Sequence, residues 1–320
     1  MVCRKEEKYY VGIDLGGTFI KGGVVDGQGN LLVFDKTPTE REKGGDAVAN
    51  NIASLAVDLT KKAGICVSDV VGLGIGSPGM IDSKQGVVIF SANLDWTNFP
   101  IVEKIEALTG WKVKVVNDAN VAALGEVKFG AAKGYRDVVM LTLGTGVGGG
   151  VVLDGKLMEG NQSAGAELGH MSIVNGGEPC TCGRKGCLEA YAAATSLIRD
   201  CRRMMEAHSD CRMWEVGSLE NVTGKTAFDY RAVDGYAAEV VNEYIEHLAC
   251  GITNFANIFR PQAVILGGGV CNQGEELTKP LQEIVDREIF AGKLGPSVPI
   301  LIASLGNRAG LLGAAALMMD

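Results

Sequence analysis

The sequence predicts an α/β fold built twice over, in two domains. Three observations carry that reading. A chain of 320 residues, 47% hydrophobic and 21% charged, is long enough to bury more than one core. Short apolar runs of strand type alternate with segments of helical periodicity along most of it. Two glycine-rich hairpin patterns, Tyr9 to Val25 and Val138 to Asp154, align at a constant offset of 128 residues. Leu15 meets Leu143, Gly16 meets Gly144, Gly22 meets Gly150, and Asp26-Gly27 meets Asp154-Gly155. Two such hairpins in register point to duplication.

The elements follow in order. After the first strand–turn–strand, Gly44 to Lys62 has helical periodicity. Val70 to Gly76 and Val87 to Phe90 read as short strands, and Ile101 to Leu108 as a helix. Val113 to Val116 is a strand ending in Asn117-Asp118, and Ala119 to Phe129 is a helix. The second hairpin pattern comes next, then a cysteine-rich segment, then helices over 188–206 and 234–258. Residues 207–232 are polar and irregular, and read as an insertion or mobile excursion. Ala263 to Leu266 is a strand running into Gly267-Gly268-Gly269. Val298 to Ala303 is the last strand and Ala309 to Met318 the last helix. Pairing beyond the hairpins is expected to be largely parallel.

A net charge of −8 argues against a nucleic-acid surface. The N-terminus Met1-Val-Cys-Arg-Lys-Glu-Glu-Lys has no apolar core of a leader, and no apolar run is long enough to span a bilayer. The expected location is the cytoplasm, with no membrane partner. Nine cysteines is an odd count, and scattered ones such as Cys66, Cys201 and Cys250 read as buried apolar residues or free thiols.

The cysteine-rich segment carries the most specific chemistry. Cys180, Cys182 and Cys187 fall within eight residues, and His170 lies ten positions upstream. Three thiolates and one imidazole complete a tetrahedral Zn²⁺, the composition of a closed structural site. A disulfide or reactive-cysteine loop is the other reading of the same residues. Glu167 and Glu189 flank the segment. With His170 they suit the vicinal hydroxyls of a sugar, and a zinc-held His170 keeps its second ring nitrogen as a donor. Either glutamate is also readable as part of a solvated helix face.

Asp14-Leu-Gly16-Gly17-Thr18 opens the first hairpin. Its glycines let backbone amides approach a phosphate. Thr18 adds a hydroxyl, Lys21 a positive charge, and Asp14 an oxygen ligand for Mg²⁺. Gly144-Thr145-Gly146 is the counterpart, and Gly267-Gly268-Gly269 a third glycine turn suited to a base or ribose. Neither hairpin has the Walker A pattern or the helix that a dinucleotide fingerprint requires. Asp118 could take a proton from a hydroxyl nucleophile while Asn117 holds a neighbouring hydroxyl. Asp118 is equally readable as a helix N-cap.

Together these residues resemble the ROK family of sugar kinases and sugar-responsive repressors. The resemblance covers essentially the whole chain and rests on four groups of residues: Glu167-Leu-Gly169-His170 with the Cys180–Glu189 segment; Asp14 to Thr18; Leu143 to Gly146; and Asn117-Asp118-Ala-Asn120. It implies an actin-like, hexokinase-type (ribonuclease H-like) ATPase fold with a cleft between two domains. Residues 1–118 would form a small domain and 119–304 a large one, with a helix in 305–320 returning to the small domain. It further implies ATP with Mg²⁺, a structural Zn²⁺, Gly79 and Asn93 at the sugar entrance, and Asp118 as the base. The sugar would be glucose in a glucokinase-type enzyme. Fructose, mannose or an N-acetylhexosamine is the alternative. The expected assembly is a homodimer or a dimer of dimers. A repressor would carry a helix-turn-helix ahead of the sugar module, and the first hairpin already starts by residue 11.

Overall fold

The computed structural model describes residues 8–319, and the expectation about the N-terminal leader falls largely on residues 1–7, outside that range. The chain begins with three strands, β1 (Tyr9–Leu15), β2 (Phe19–Asp26) and β3 (Leu31–Pro38), followed by helix α1 (Gly45–Lys62). Next come β4 (Val70–Ser77), β5 (Met80–Asp82), β6 (Val87–Ser91), β7 (Trp96–Phe99), α2 (Ile101–Thr109), β8 (Val113–Asn117) and α3 (Asp118–Phe129). The second half holds β9 (Val138–Leu143), β10 (Val147–Leu153), β11 (Lys156–Leu157), α4 (Glu189–Ala192), α5 (Ala194–Ala207), α6 (Thr226–Tyr230) and α7 (Gly235–Phe259). It ends with β12 (Ala263–Gly267), α8 (Glu275–Glu288), β13 (Ile300–Ile302) and α9 (Ala309–Ala316).

The first sheet has the order β3-β2-β1-β4-β8. Its first three strands pair antiparallel, and β1–β4 and β4–β8 pair parallel. The second sheet has the order β11-β10-β9-β12-β13, with β12 parallel to β9 and to β13. The two orders are the same one, third-second-first-fourth-fifth, so the repeat seen in the hairpins extends to whole sheets. A small antiparallel sheet, β5-β6-β7, stands apart.

The chain forms two compact units. The first comprises the residues up to 136 with 150–166 and 304–320. On one face of its sheet, Val11, Ile13, Leu73 and Ile75 pack with Ile52 and Leu59 of α1 and with Ile101 and Ile105 of α2. On the other, Tyr10 and Val25 meet Leu311, Leu312 and Ala315 of α9, while Val121 and Leu124 of α3 meet Ala314 and Leu317. Glycine makes that second layer possible. A methyl at Gly74 would lie 1.8 Å from the Ala314 carbonyl oxygen, and one at Gly313 would lie 1.6 Å from the Val121 oxygen. Backbones touch there with no side chain between them, which only glycine permits.

This packing corrects the boundaries read from the sequence. Helix α3 and residues 150–166 group with the first unit, not with a large domain starting at 119. The cause is the close α3–α9 approach, which pairs residues about 190 positions apart.

The second unit comprises 137–149 and 167–303. Its sheet strands β9 and β12 are buried throughout apart from Thr142. Residues 207–232 are not a loose excursion. They form turns at Arg212–Val216 and Leu219–Asn221 and the helix α6, and they bury Cys211, Met213, Val222, Ala227 and Phe228. Asp234 then accepts from the Arg212 and Tyr236 amides (2.6 and 2.9 Å), capping α7 and closing the excursion at once. The expected 188–206 helix is broken at Ala193, which is extended. Helix α8 contains Pro280, which cannot donate to the carbonyl of Glu276. Arg231 donates to that carbonyl instead, at 3.4 Å. Cys66 is disulfide-bonded, against the expectation of a buried or free thiol. Among the described residues, no helix is long and apolar enough to cross a membrane.

Candidate functional site

In the first unit the β1–β2 turn closes with the Gly16 amide donating to the Phe19 carbonyl at 3.0 Å. Thr39, fully buried, clamps it from the end of β3. Its hydroxyl donates to the Gly16 oxygen (2.6 Å) and its amide to the Thr18 oxygen (2.9 Å). Asp14 and Lys21 are direct partners across the two strands, and their side chains form an ion pair at 3.0 Å. Asn93 sits against this turn: a methyl at Gly17 would lie 3.2 Å from the Asn93 oxygen. Arg41 donates to the same oxygen at 2.8 Å. An open polar hollow of about 730 Å³ lies over Gly17, Thr18, Arg41 and Asn93.

Asn117 ends β8 and caps α3. Its side-chain oxygen accepts from the Ala119 amide (2.9 Å) and the Asn120 amide (3.4 Å). Its side-chain nitrogen donates to the Gly79 oxygen at 3.2 Å, which ties the two expected sugar residues to each other. Capping therefore does not account for Asp118. Asp118 is exposed in the first turn of α3, where the positive end of the helix favours a carboxylate. One of its oxygens accepts from the Ala119 amide at 2.9 Å.

In the second unit the turn after β9 closes with the Gly144 amide donating to the Gly146 oxygen at 3.0 Å. The start of α5 holds it from outside. The Ala194 amide donates to the Gly144 oxygen and the Thr195 hydroxyl to the Thr145 oxygen, each at 2.8 Å. This satisfies one of the orphan donors of the helix. The third glycine turn packs beside the second. A methyl at Gly268 would lie 2.3 Å from the Leu143 oxygen, whereas Gly144 and Gly269 both face open space.

His170, Cys180, Cys182 and Cys187 converge, with one ligand atom from each lying within 4.8 Å of the others. The Cys182 and Cys187 sulfurs are 3.7 Å apart, and His170 Nδ1 is 3.5 Å from the Cys180 sulfur. Zinc–sulfur bonds near 2.3 Å in a tetrahedron place sulfurs about 3.8 Å apart, so the donor set fits such an ion in spacing and in type. The turn depends on Gly186, at φ 82°, where a methyl would lie 1.6 Å from the Val174 oxygen. Burial pushes the Cys187 thiol up to about 12, and burial likewise raises Cys180. The exposed Cys182 is lowered, first by the Arg184 amide.

Glu189 joins this cluster to the hairpin. One oxygen accepts from the Val147 amide at 3.0 Å, and the other from the Thr181 hydroxyl at 2.9 Å. That is not a solvated helix face. Glu167 is exposed, and its carbonyl accepts from the His170 amide at 3.1 Å.

The sequence profile of the ROK family matches residues 10–320. The chain belongs to that family. A glucokinase from Streptomyces coelicolor is 37% identical to this ROK chain over 319 residues, 97% of each chain. A ROK hexokinase from Thermus thermophilus superposes with a TM-score of 0.83 at 37% identity, covering 96% of each chain. A ROK-family glucokinase from Streptomyces griseus, in complex with glucose and AMPPNP, superposes with a TM-score of 0.78 at 36% identity, covering 97% of this chain and 98% of its own. A xylose repressor from Bacillus subtilis is 28% identical over the whole of this chain and 79% of its own length.

Several contacts that brace the candidate site residues were invisible in the sequence. Thr39, Arg41, Thr181 and Arg184 brace the first turn, Asn93, Glu189 and the His170 carbonyl respectively. Thr39 and Arg41 belong to no motif, Thr181 and Arg184 lie within the Cys180–Glu189 segment without their contacts being readable from it, and each acts through a contact eight to 52 positions away along the chain.

Proposed function

We propose that this chain is a glucokinase-type hexose kinase that transfers the γ-phosphoryl group of ATP to the 6-hydroxyl of glucose, with Asp118 as general base. The observation that carries the reading is the place of Asp118, exposed in the first turn of α3 and next to Asn117, which caps that helix and donates to the Gly79 oxygen. Likeness to proteins named glucokinase over nearly the full length of both chains supports the substrate.

Gly79, Asn93, Asn117, Glu167, His170 and Glu189 bind the sugar hydroxyls in this reading, with Asp118 on the 6-hydroxyl. Asp118 accepts the hydroxyl proton as that oxygen attacks phosphorus in line. Gly16, Gly17 and Thr18, with Gly144, Thr145 and Gly146, offer backbone amides and hydroxyls to the phosphates, and Gly267 to Gly269 receive the nucleoside. Asp14 holds Mg²⁺ directly or through water, and Lys21 keeps Asp14 aimed. Zinc is held by His170, Cys180, Cys182 and Cys187. Its role is structural, because four protein ligands leave no open position. His170 turns Nδ1 to the cysteines, so Nε2 is left to donate to the sugar.

Asp118→Asn tests the reading. Folding and sugar binding persist while kcat falls by about 10²–10⁴, the range for losing a general base. Near-wild-type kcat in that variant sinks the assignment. Comparing kcat/KM for glucose, mannose, fructose and N-acetylated hexosamines with Mg²⁺–ATP decides the sugar. The likeness to xylose repressors favours a second reading, a sugar-binding regulator, which sugar binding without any turnover would establish.

A further inference from the structure

We infer that Glu126 is a positioning residue that anchors, on α3, two of the segments through which the chain passes from one compact unit to the other. The chain makes that passage four times, after residues 136, 149, 166 and 303. Glu126 is fully buried, at 0% exposure. A carboxylate is seldom so placed without partners, and this one has four donors. Oε2 accepts from the Ala131 amide (2.8 Å), the Ser304 amide (3.1 Å) and the Ser304 hydroxyl (3.3 Å). Oε1 accepts from the Leu305 amide (2.8 Å). The backbone carbonyl of the same residue accepts from the amides of Gly130 (3.0 Å) and Ala132 (3.1 Å).

The partners are not scattered. Residues 130–132 lead into the first passage, and Ser304 is the first residue after the last one. All these contacts lie inside the first unit. One side chain on a rigid helix therefore ties the segment that follows α3 to the segment that leads into α9. Helix α3 also begins with Asn117 and Asp118. An apolar side chain of similar volume would fill the space, but it would take the acceptor away from the Ala131, Ser304 and Leu305 amides and leave the two segments unregistered.

The functional consequence rests on the kinase reading above. Slack in these segments lowers the fraction of molecules in the binding-competent arrangement. The apparent affinity for sugar falls by that fraction, while the reacting groups stay as they are.

The test compares the full-length protein with Glu126→Gln, Gly130→Ala and Leu124→Ala. A methyl at Gly130 would lie 2.0 Å from Oε2 and 2.7 Å from Cδ, so Gly130→Ala pushes the carboxylate off its donors without removing it. Leu124, buried on the same helix, packs with Val121 and Leu317 and serves as the control for lost stability alone. Kinetics are measured well below every Tm with the hexose the wild type turns over best, alongside amide exchange at Ala131, Ser304 and Leu305. The expected result is a sugar KM raised about tenfold in Glu126→Gln and severalfold in Gly130→Ala, with kcat within about threefold. The three amides lose protection in both, and Leu124→Ala lowers Tm while keeping the wild-type KM. A wild-type KM in Glu126→Gln, or an equal rise in Leu124→Ala, overturns the inference. If Glu126→Gln does not fold, Gly130→Ala decides by the same criteria. A wild type that turns over no hexose sinks the kinase reading instead. Amide exchange then decides the anchoring alone: loss confined to Glu126→Gln and Gly130→Ala supports it, and equal loss in Leu124→Ala overturns it.

Discussion

The two glycine-rich hairpins occupy the same place in the same strand order, yet they are held in unlike ways. The first carries its charges within itself, as the Asp14–Lys21 pair, and is clamped by a single buried threonine, Thr39. The second has no charged residue between Val138 and Leu153. It borrows support from outside: the start of α5, the Gly268 turn packed on Leu143, and Glu189 reaching over from the cysteine cluster. A duplicated frame thus keeps its backbone while its bracing diverges. The first copy keeps an ion pair of its own. The second is tied to the cluster of His170 and three cysteines.

The largest test of this contrast is steric. Gly268 has φ 93°, and a methyl there would meet the oxygen, carbon and nitrogen of Leu143 at 2.3–2.7 Å. None of these is the end of a flexible side chain. Gly268→Ala is expected to cost about 3 kcal/mol or more, or to prevent folding. The turn of the first hairpin itself is more tolerant. A methyl at Gly16 meets only the Phe19 oxygen, at 3.0 Å, so Gly16→Ala should cost about 1 kcal/mol. Denaturant midpoints measure both. Equal losses would mean that the packing of the Gly268 turn on Leu143 gives the second hairpin no tighter a brace than the first has.

Metal removal comes next. Cys182→Ser, or chelation of the wild type, should abolish stoichiometric zinc and free the Thr181–Glu189 contact. The Val147 amide should then lose exchange protection while the Gly16 amide in the other hairpin keeps it, and sugar turnover should fall. Zinc affinity should rise steeply with pH, because a thiol pushed up to about 12 must lose its proton to bind the ion. Undiminished zinc content and unchanged protection at Val147 would show that the cysteine cluster does not support the hairpin.

Why one hairpin's support was legible in the sequence and the other's was not is a matter of range. The cysteine ligands lie within a few residues of each other, and their spacing advertises them. The hairpins showed because glycine patterns repeat at a fixed offset. Asn117 and Asp118 both have N-cap chemistry, so the chain order alone could not say which one caps; the side-chain oxygen of Asn117 does. Thr39 acts 23 residues from Gly16, and Arg41 acts 52 from Asn93, and neither leaves a local trace. Helix α8 was hidden by Pro280, whose cost is offset by Arg231, 45 residues from the carbonyl it satisfies. The 207–232 segment read as loose because its buried residues follow no period, although Trp214 Nε1 donates to the Met205 oxygen at 2.9 Å. The unit boundaries were missed for the same reason, since they depend on α3 meeting α9.

The smallest effect concerns the brace behind the cysteine cluster, which has no counterpart at the first hairpin. Glu178 begins that segment. Arg203 donates to it at 2.6 Å, and Arg199 lies 4.0 Å away. The Arg203 hydrogen bond holds the Glu178 carboxyl below its ordinary range; slight burial opposes this, and the charges of Arg199 and Arg203 add to it. A carboxyl whose folded value is depressed stabilises the fold above its unfolded value, near 4.3, and that stability is lost as pH falls through the folded value. Glu178→Gln should therefore lower stability at pH 7 by about 0.5–1 kcal/mol, the range for a partly exposed pair. The difference from wild type should shrink below about pH 4 and vanish at more acid pH. The Glu178 backbone keeps its own bonds, to the Tyr191 hydroxyl and the Gly186 amide, in either variant. A stability difference that persists unchanged at pH 3 would assign the effect to packing and leave the second hairpin's outer brace without an electrostatic part.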